Sequence, residues 1–229
     1  MTKKLLYLTI LFWAYFLVRC DSTTNSSNKK NIQNIDTTKS FKIDNIWVTP
    51  NSSYDVNSLL HHSADTLEIV TCSEFVYSPF GIIKNADLKS GLLSKFDVID
   101  TSFGMDGDEW FLVCELLKLN SNRILFYFHD TSLAIKHSPI IEGEVNDSSV
   151  SFSNNIKVGI SLEYFYKIFF DNFPLELQNK YSVIVLESCV KGVRGIRHIY
   201  TFKDNKLYSI KFFQSGHASY DYLGGGKSV

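Results

Sequence analysis

The chain has 229 residues, with 23 basic and 24 acidic side chains and a formal net charge of -1. That balance, without any cluster of basic residues to neutralise phosphates, excludes a nucleic-acid binder. Phe (18) and Tyr (12) are abundant while Pro (4) is scarce, which favours a strand-rich fold with a well-filled core.

Lys3 and Lys4 lead into the largely apolar run 5–18, roughly fourteen residues where a bilayer-spanning helix needs about twenty. This is the length of a signal-peptide core. Leu17-Val18-Arg19-Cys20 and a polar run follow, and together they resemble the leader of bacterial lipoproteins, in which the cysteine is lipidated and the chain cleaved before it. Arg19 stands where that pattern has a small residue. The resemblance implies a signal peptide over 1–19, lipid on Cys20 and a place in the bacterial cell envelope, on the periplasmic face or the cell surface. Loss of 1–19 leaves 20 basic against 24 acidic residues.

Residues 20–40 are rich in Ser, Thr, Asn, Lys and Asp and bury too little to order themselves, so they read as a flexible tether. A first strand is expected over 41–48, a loop over 50–65 and a second strand over 67–72. Ser78-Pro79-Phe80-Gly81 interrupts the chain before apolar residues at helical spacing from Ile82 to Phe96, with Asn85 or Asp87 as cap. A meander follows over 98–103, 110–119, 123–128 and 133–141, turning at Gly104–Asp108 and Asn120–Asn122.

After a polar connection over 142–155, Leu162, Phe165, Tyr166, Phe169 and Phe170 form a helical stripe with Ser161 as N-cap, Glu163 in the first turn and Pro174 as terminator. Strands over 181–190, 196–202 and 207–213 complete this half. Phe128-His129-Asp130-Thr131-Ser132-Leu133 and Phe202-Lys203-Asp204-Asn205-Lys206-Leu207 share Phe-x-Asp-x-x-Leu, 74 residues apart, and each half begins with a helix after Gly81 or Gly159. The order of helix then three strands points to a duplication. The expected fold is therefore α+β: two weakly repeated helix-plus-antiparallel-sheet modules, 41–145 and 146–215, with helices packed on one sheet face and a flexible tail at 216–229.

The run Ile156–Ser161, its helix and the three strands ending in Tyr200–Ile210 resemble the module of the β-lactamase-inhibitor-protein class and the small lipoprotein of the outer-membrane β-barrel assembly machine. The resemblance covers 156–210 well and 67–141 loosely. It implies helices on one face of an antiparallel sheet, in tandem, and a protein-binding role. Phe173-Pro174 stands where the family often has Gly-Pro.

With Cys20 lipidated, Cys72, Cys114 and Cys189 remain, an odd number. Cys72 and Cys114 lie in strand-like runs, where a cysteine is usually a small buried apolar group. A Cys72–Cys114 disulfide and a reactive or metal-binding thiol are the alternatives. No CxxC pair or Cys/His spacing suits zinc. Gly224-Gly225-Gly226-Lys227-Ser228 has Asp221 where a phosphate-binding loop needs its first glycine, and Asp106-Gly107-Asp108-Glu109 lacks the alternating ligands of a calcium loop.

The six histidines, 61, 62, 129, 137, 198 and 217, are scattered, and no serine or cysteine sits in a nucleophile elbow. No enzyme, cofactor or metal is expected. Trp47 and Trp110 read as core filler rather than interface anchors. An open sheet leaves one face for a partner, with Tyr200, Tyr208 and Lys211 as candidate contacts. The expected function is a lipid-anchored, non-enzymatic envelope module that binds another protein, including the inhibitor or immunity class. The alternatives are a small-ligand-binding lipoprotein and a hydrolase with an unrecognised site.

Overall fold

Two adjacent residues in the left-handed region open the architecture: Asp44 and Asn45, at φ 48° and 66°, make the tight turn that joins β1 (Phe41–Ile43) to β2 (Ile46–Pro50). The expected single strand over 41–48 is thus a hairpin, because Asx residues accept this backbone where others are strained. The computed structural model describes residues 35–81, 98–106, 110–129, 140–189 and 195–214, with 98–118, 126–129 and 141 as backbone. Met1–Ile35 and Asp36–Val229 form two separate units, and everything below belongs to the second. The leader, Cys20, the helix expected at 82–96 with its caps, the hairpin after His129, His137, His217 and the C-terminal glycines lie outside the described residues.

The expected loop at 50–65 contains a 3-10 turn (Ser52–Tyr54) and β3 (Val56–Ser63), an edge strand with two irregularities in its pairing to β4 (Thr66–Thr71). Edge exposure and these bulges hide the alternation that would have marked β3 in the sequence. A short helix α1 (Glu74–Tyr77) follows. Then β5 (Val98–Asp106), β6 (Trp110–Leu119), β7 (Asn122–His129) and β8 (Ile140–Val145) form an antiparallel meander.

Helix α2 (Leu162–Phe169) starts where its cap says it should: Ser161 accepts a hydrogen bond from the Tyr164 backbone N–H at 3.1 Å, a bond contributing about 1 kcal/mol. Phe170 leaves the helix into β9 (Phe170–Asn172), which pairs with β2, so the helix stops before Pro174; that proline instead precedes α3 (Leu175–Gln178). The chain ends its described course in β10 (Val183–Ser188), β11 (Ile196–Lys203) and β12 (Lys206–Gln214), the last two joined by Asp204 and Asn205 at positive φ.

The large sheet has nine strands in the order β3-β4-β10-β11-β12-β8-β7-β6-β5, beside a small sheet of β1-β2-β9. This corrects the α+β expectation. The described chain is mostly β, its α-helices are short, and strands from both expected modules share one sheet rather than two. The parallel pair β4·β10 and the β12·β8 pair make the joins, and neither is visible in a local pattern because each links distant residues. Also corrected is the state of Cys72, which is neither a thiol nor bonded to Cys114: a Cys72–Cys189 disulfide spans a Cα separation of 5.0 Å. The ladder pairs Thr71 with Ser188, so the next residue on each parallel strand is a cysteine beside a cysteine.

One face of the large sheet carries the core. Leu67, Ile69, Ile184, Leu186, Tyr200, Phe202, Ile210 and Phe212 point inward. Phe165 and Phe169 of α2 pack on them, with Phe165 4.8 Å from the Tyr200 ring and 5.2 Å from Phe202. The small sheet contributes Ile43 and Val48 to the same cluster. Trp47 is only half-buried and sits under the Lys42 ammonium, which is 4.7 Å from its ring.

Candidate functional site

Strand alternation leaves the opposite face of the large sheet with a different population. On β11, Arg197, Ile199 and Thr201 point away from the buried His198, Tyr200 and Phe202. Cross-strand pairing sets Glu187 against Arg197, Lys211 against both Ile199 and Glu144, and Phe213 against both Arg197 and Glu142. Phe213 is 44% exposed although its neighbour Phe212 is buried.

Two charged clusters flank this phenylalanine. On one side His62 Nε2 bonds Glu68 Oε2, and Arg197 Nη2 donates to Glu187 Oε2 at 2.8 Å. Glu68 is 5% exposed, and burial pushes its carboxyl above the ordinary range, helped by a hydrogen bond with Glu187 and opposed by His62. Burial works the same way on Glu187, but the bonds from Arg197 and Glu68 outweigh it and hold Glu187 below its usual value. The two carboxyls are therefore pushed in opposite directions, Glu68 holding its proton to higher pH than Glu187.

On the other side Arg123, Leu125, Glu142, Glu144, Lys211 and Phe213 surround a groove of about 410 Å³. Lys211 Nζ lies 3.7 Å from Glu144 Oε1 with both side chains about half exposed, so solvent screens the pair and both ends remain open to new partners.

Of the contacts expected from the sequence, Tyr200 is corrected: it is 1% exposed and packs in the core against Phe165, because its parity on β11 is that of His198 and Phe202. Tyr208 is 60% exposed at a bulge in β12, its ring 6.0 Å from Lys203 Nζ. Lys211 borders the groove. The structure brings Lys211 together with Phe213, Arg197 and Arg123, which sequence reasoning missed; the parity of β12 around Phe212 and Phe213 was the available signal.

His198, one of the scattered histidines, is fully buried against Phe212 at 4.7 Å and Phe75 at 6.1 Å, and its Nε2 has no hydrogen-bond partner. Burial lowers its pKa to about 3, against a weak opposing bond with the Val76 backbone, so it is a neutral core residue. Among the described residues no group of three or more His, Cys, Asp or Glu side chains is arranged to hold a metal ion. No protein-family model, curated protein or solved structure matches this chain.

Proposed function

We propose that the chain is exported, lipidated at Cys20 and held at a bacterial envelope membrane, where the outward face of its large sheet binds another protein without catalysing a reaction. The observation that carries the binding role is Phe213, an aromatic side chain half in solvent between Arg197 and Glu142 and beside an open groove. Aromatic anchors ringed by polar groups are the usual energetic centres of protein interfaces. Both signs of charge at its rim suit a partner loop or strand that presents one apolar residue between an acidic and a basic one. The exported address is supported by the Cys72–Cys189 disulfide, since such bonds persist where the compartment is oxidising. Lys211 and Arg123 extend the contact surface; Tyr208, at the far end of β12, lies at its margin.

Two substitutions test the two halves of this reading. Cys20→Ser should move the protein from washed membranes to the soluble fraction, and its retention there overturns the anchor. Phe213→Asp, crosslinked and purified from cells, should lose at least about tenfold of a partner recovered stoichiometrically with the wild type. Undiminished recovery overturns the assigned face, and a wild type that always emerges alone overturns the protein-binding role.

A further inference from the structure

The loop that leaves β8 carries an acceptor signal that the rest of the fold does not use. Asn146-Asp147-Ser148 is an Asn-x-Ser triplet without proline, the signal for asparagine-linked glycosylation, which is read on exported chains. Two other such triplets begin at Asn25 and Asn51. Bacterial oligosaccharyltransferases extend the signal by an acidic residue two positions before the asparagine. Glu144 stands there for Asn146, whereas Thr23 and Thr49 precede the other two.

Asn25 lies outside the described residues, and the structure separates the remaining pair. Asn51 is engaged by the fold: its Nδ2 donates to the Ile168 carbonyl at 3.2 Å, and its Oδ1 accepts from the Ser53 N–H at 3.0 Å. Freeing that amide for reaction would cost both bonds. Asn146 is the reverse case. It is exposed, as is Ser148, and neither side chain makes a hydrogen bond among the described residues.

Asn122 explains the difference. This residue at the start of β7 is 1% exposed, and its Oδ1 accepts from the backbone N–H groups of Asn146 at 2.7 Å and Asp147 at 3.2 Å. Its Nδ2 donates to Asp147 Oδ1 and Ser149 Oγ, both at 2.9 Å. The loop backbone and the side chains of Asp147 and Ser149 are thus held toward β7, while Asn146 and Ser148 stand in solvent. Glu144 is about half exposed. The acid, the amide and the hydroxyl of the signal are therefore all accessible in the folded chain.

We infer that Asn146 is a glycosylation site, with an oligosaccharide linked to a polyprenyl diphosphate as the donor. Nδ2 of Asn146 attacks the anomeric carbon of the first sugar, and a C–N bond forms as the C–O bond to the diphosphate breaks. The polyprenyl diphosphate leaves with that electron pair, and the amide gives up one proton to solvent. The inference rests on the exported address proposed above and not on the protein-binding role. Sugar and partner are compatible, since Phe213 pairs with Glu142, four residues and about 13 Å back along the strand from Asn146.

The test is mass spectrometry of the full chain purified from the cells that make it, read at the peptide containing Asn146 and at the N-terminal peptide. The expected result is an oligosaccharide mass on Asn146 that disappears in Asn146→Gln and Ser148→Ala, falls in Glu144→Gln, and persists in Ser148→Thr and Asn51→Gln. An unmodified Asn146 in a chain that begins at lipidated Cys20 overturns the inference and leaves the address standing. Sugar on Asn51 instead of Asn146, or a mass that survives Ser148→Ala undiminished, also overturns it. A chain that keeps Met1 and carries no sugar overturns the address and the site together.

Discussion

Removing the Cys72–Cys189 disulfide by Cys72→Ala/Cys189→Ala should cost close to 5 kcal/mol. The bond closes a loop with a sequence separation of 117, and the chain-entropy model assigns about 5 kcal/mol at 25 °C to a loop of that length. It also crosses the parallel pair β4·β10, where Cys189 N–H donates to the Thr71 carbonyl at 2.9 Å and Asn57 Nδ2 lies 2.8 Å from Cys72 Sγ. Both strands place Leu67, Ile69, Ile184 and Leu186 in the core, so loosening their junction reaches the largest cluster in the fold. Against a total stability of about 5–15 kcal/mol, the loss is a large fraction. The assay is urea unfolding of wild type, dithiothreitol-reduced wild type and the double variant, with the variant's midpoint falling and the two disulfide-free forms agreeing. A double variant as stable as the oxidised wild type would refute the reasoning, and a non-reducing peptide map joining Cys72 to Cys114 would refute its premise.

Three further outcomes follow from burial and charge. His198 has a folded-state pKa of about 3 against 6.5 for the free side chain, so it stabilises the fold above pH 6.5 and that contribution is lost as pH falls, by about 2 kcal/mol at pH 5; His198→Phe should remove this part of the acid slope in urea titrations run from pH 7 to 5. Glu68 works in the opposite sense, since its raised pKa favours folding at low pH and opposes it once the carboxyl ionises; Glu68→Gln should therefore raise the melting temperature at pH 7.5 and leave it unchanged at pH 4, and a lowered value at pH 7.5 would contradict the assignment. Tyr200→Ala should cost about 3 kcal/mol or more, whereas Tyr208→Ala should stay within about 0.5 kcal/mol, as thermal unfolding of the two variants will register.

The contrast between those tyrosines explains how much was legible in the sequence. Local signals survived: the stripe 162–169 with its Ser161 cap is a helix, and β6, β7, β11 and β12 lie where their apolar runs are. The helix is fixed by bonds within one turn, and the strands form two hairpins, β6·β7 and β11·β12, each between neighbours in the chain. What failed depended on which strand lies alongside, in which register. The parity of Tyr200 depends on its register with Ile184 and Ile210, and β3 is a strand because β4 lies beside it, its own residues being mostly solvent-exposed.

The disulfide was nearer to the surface of the sequence than it first looks. Leu67-Glu68-Ile69-Val70-Thr71-Cys72 and Ile184-Val185-Leu186-Glu187-Ser188-Cys189 are both apolar runs with one glutamate that end in a hydroxyl residue and a cysteine. Two such strands, laid parallel with their ends level, bring the cysteines together and both glutamates onto the outward face at once. That single register thus accounts for a covalent link and for the pair of neighbouring glutamates beside Arg197. A shift of one residue would move Leu186 out of the core and separate the sulfurs, so the link and the outward charge cluster are consequences of the same packing of Leu67, Ile69, Ile184 and Leu186.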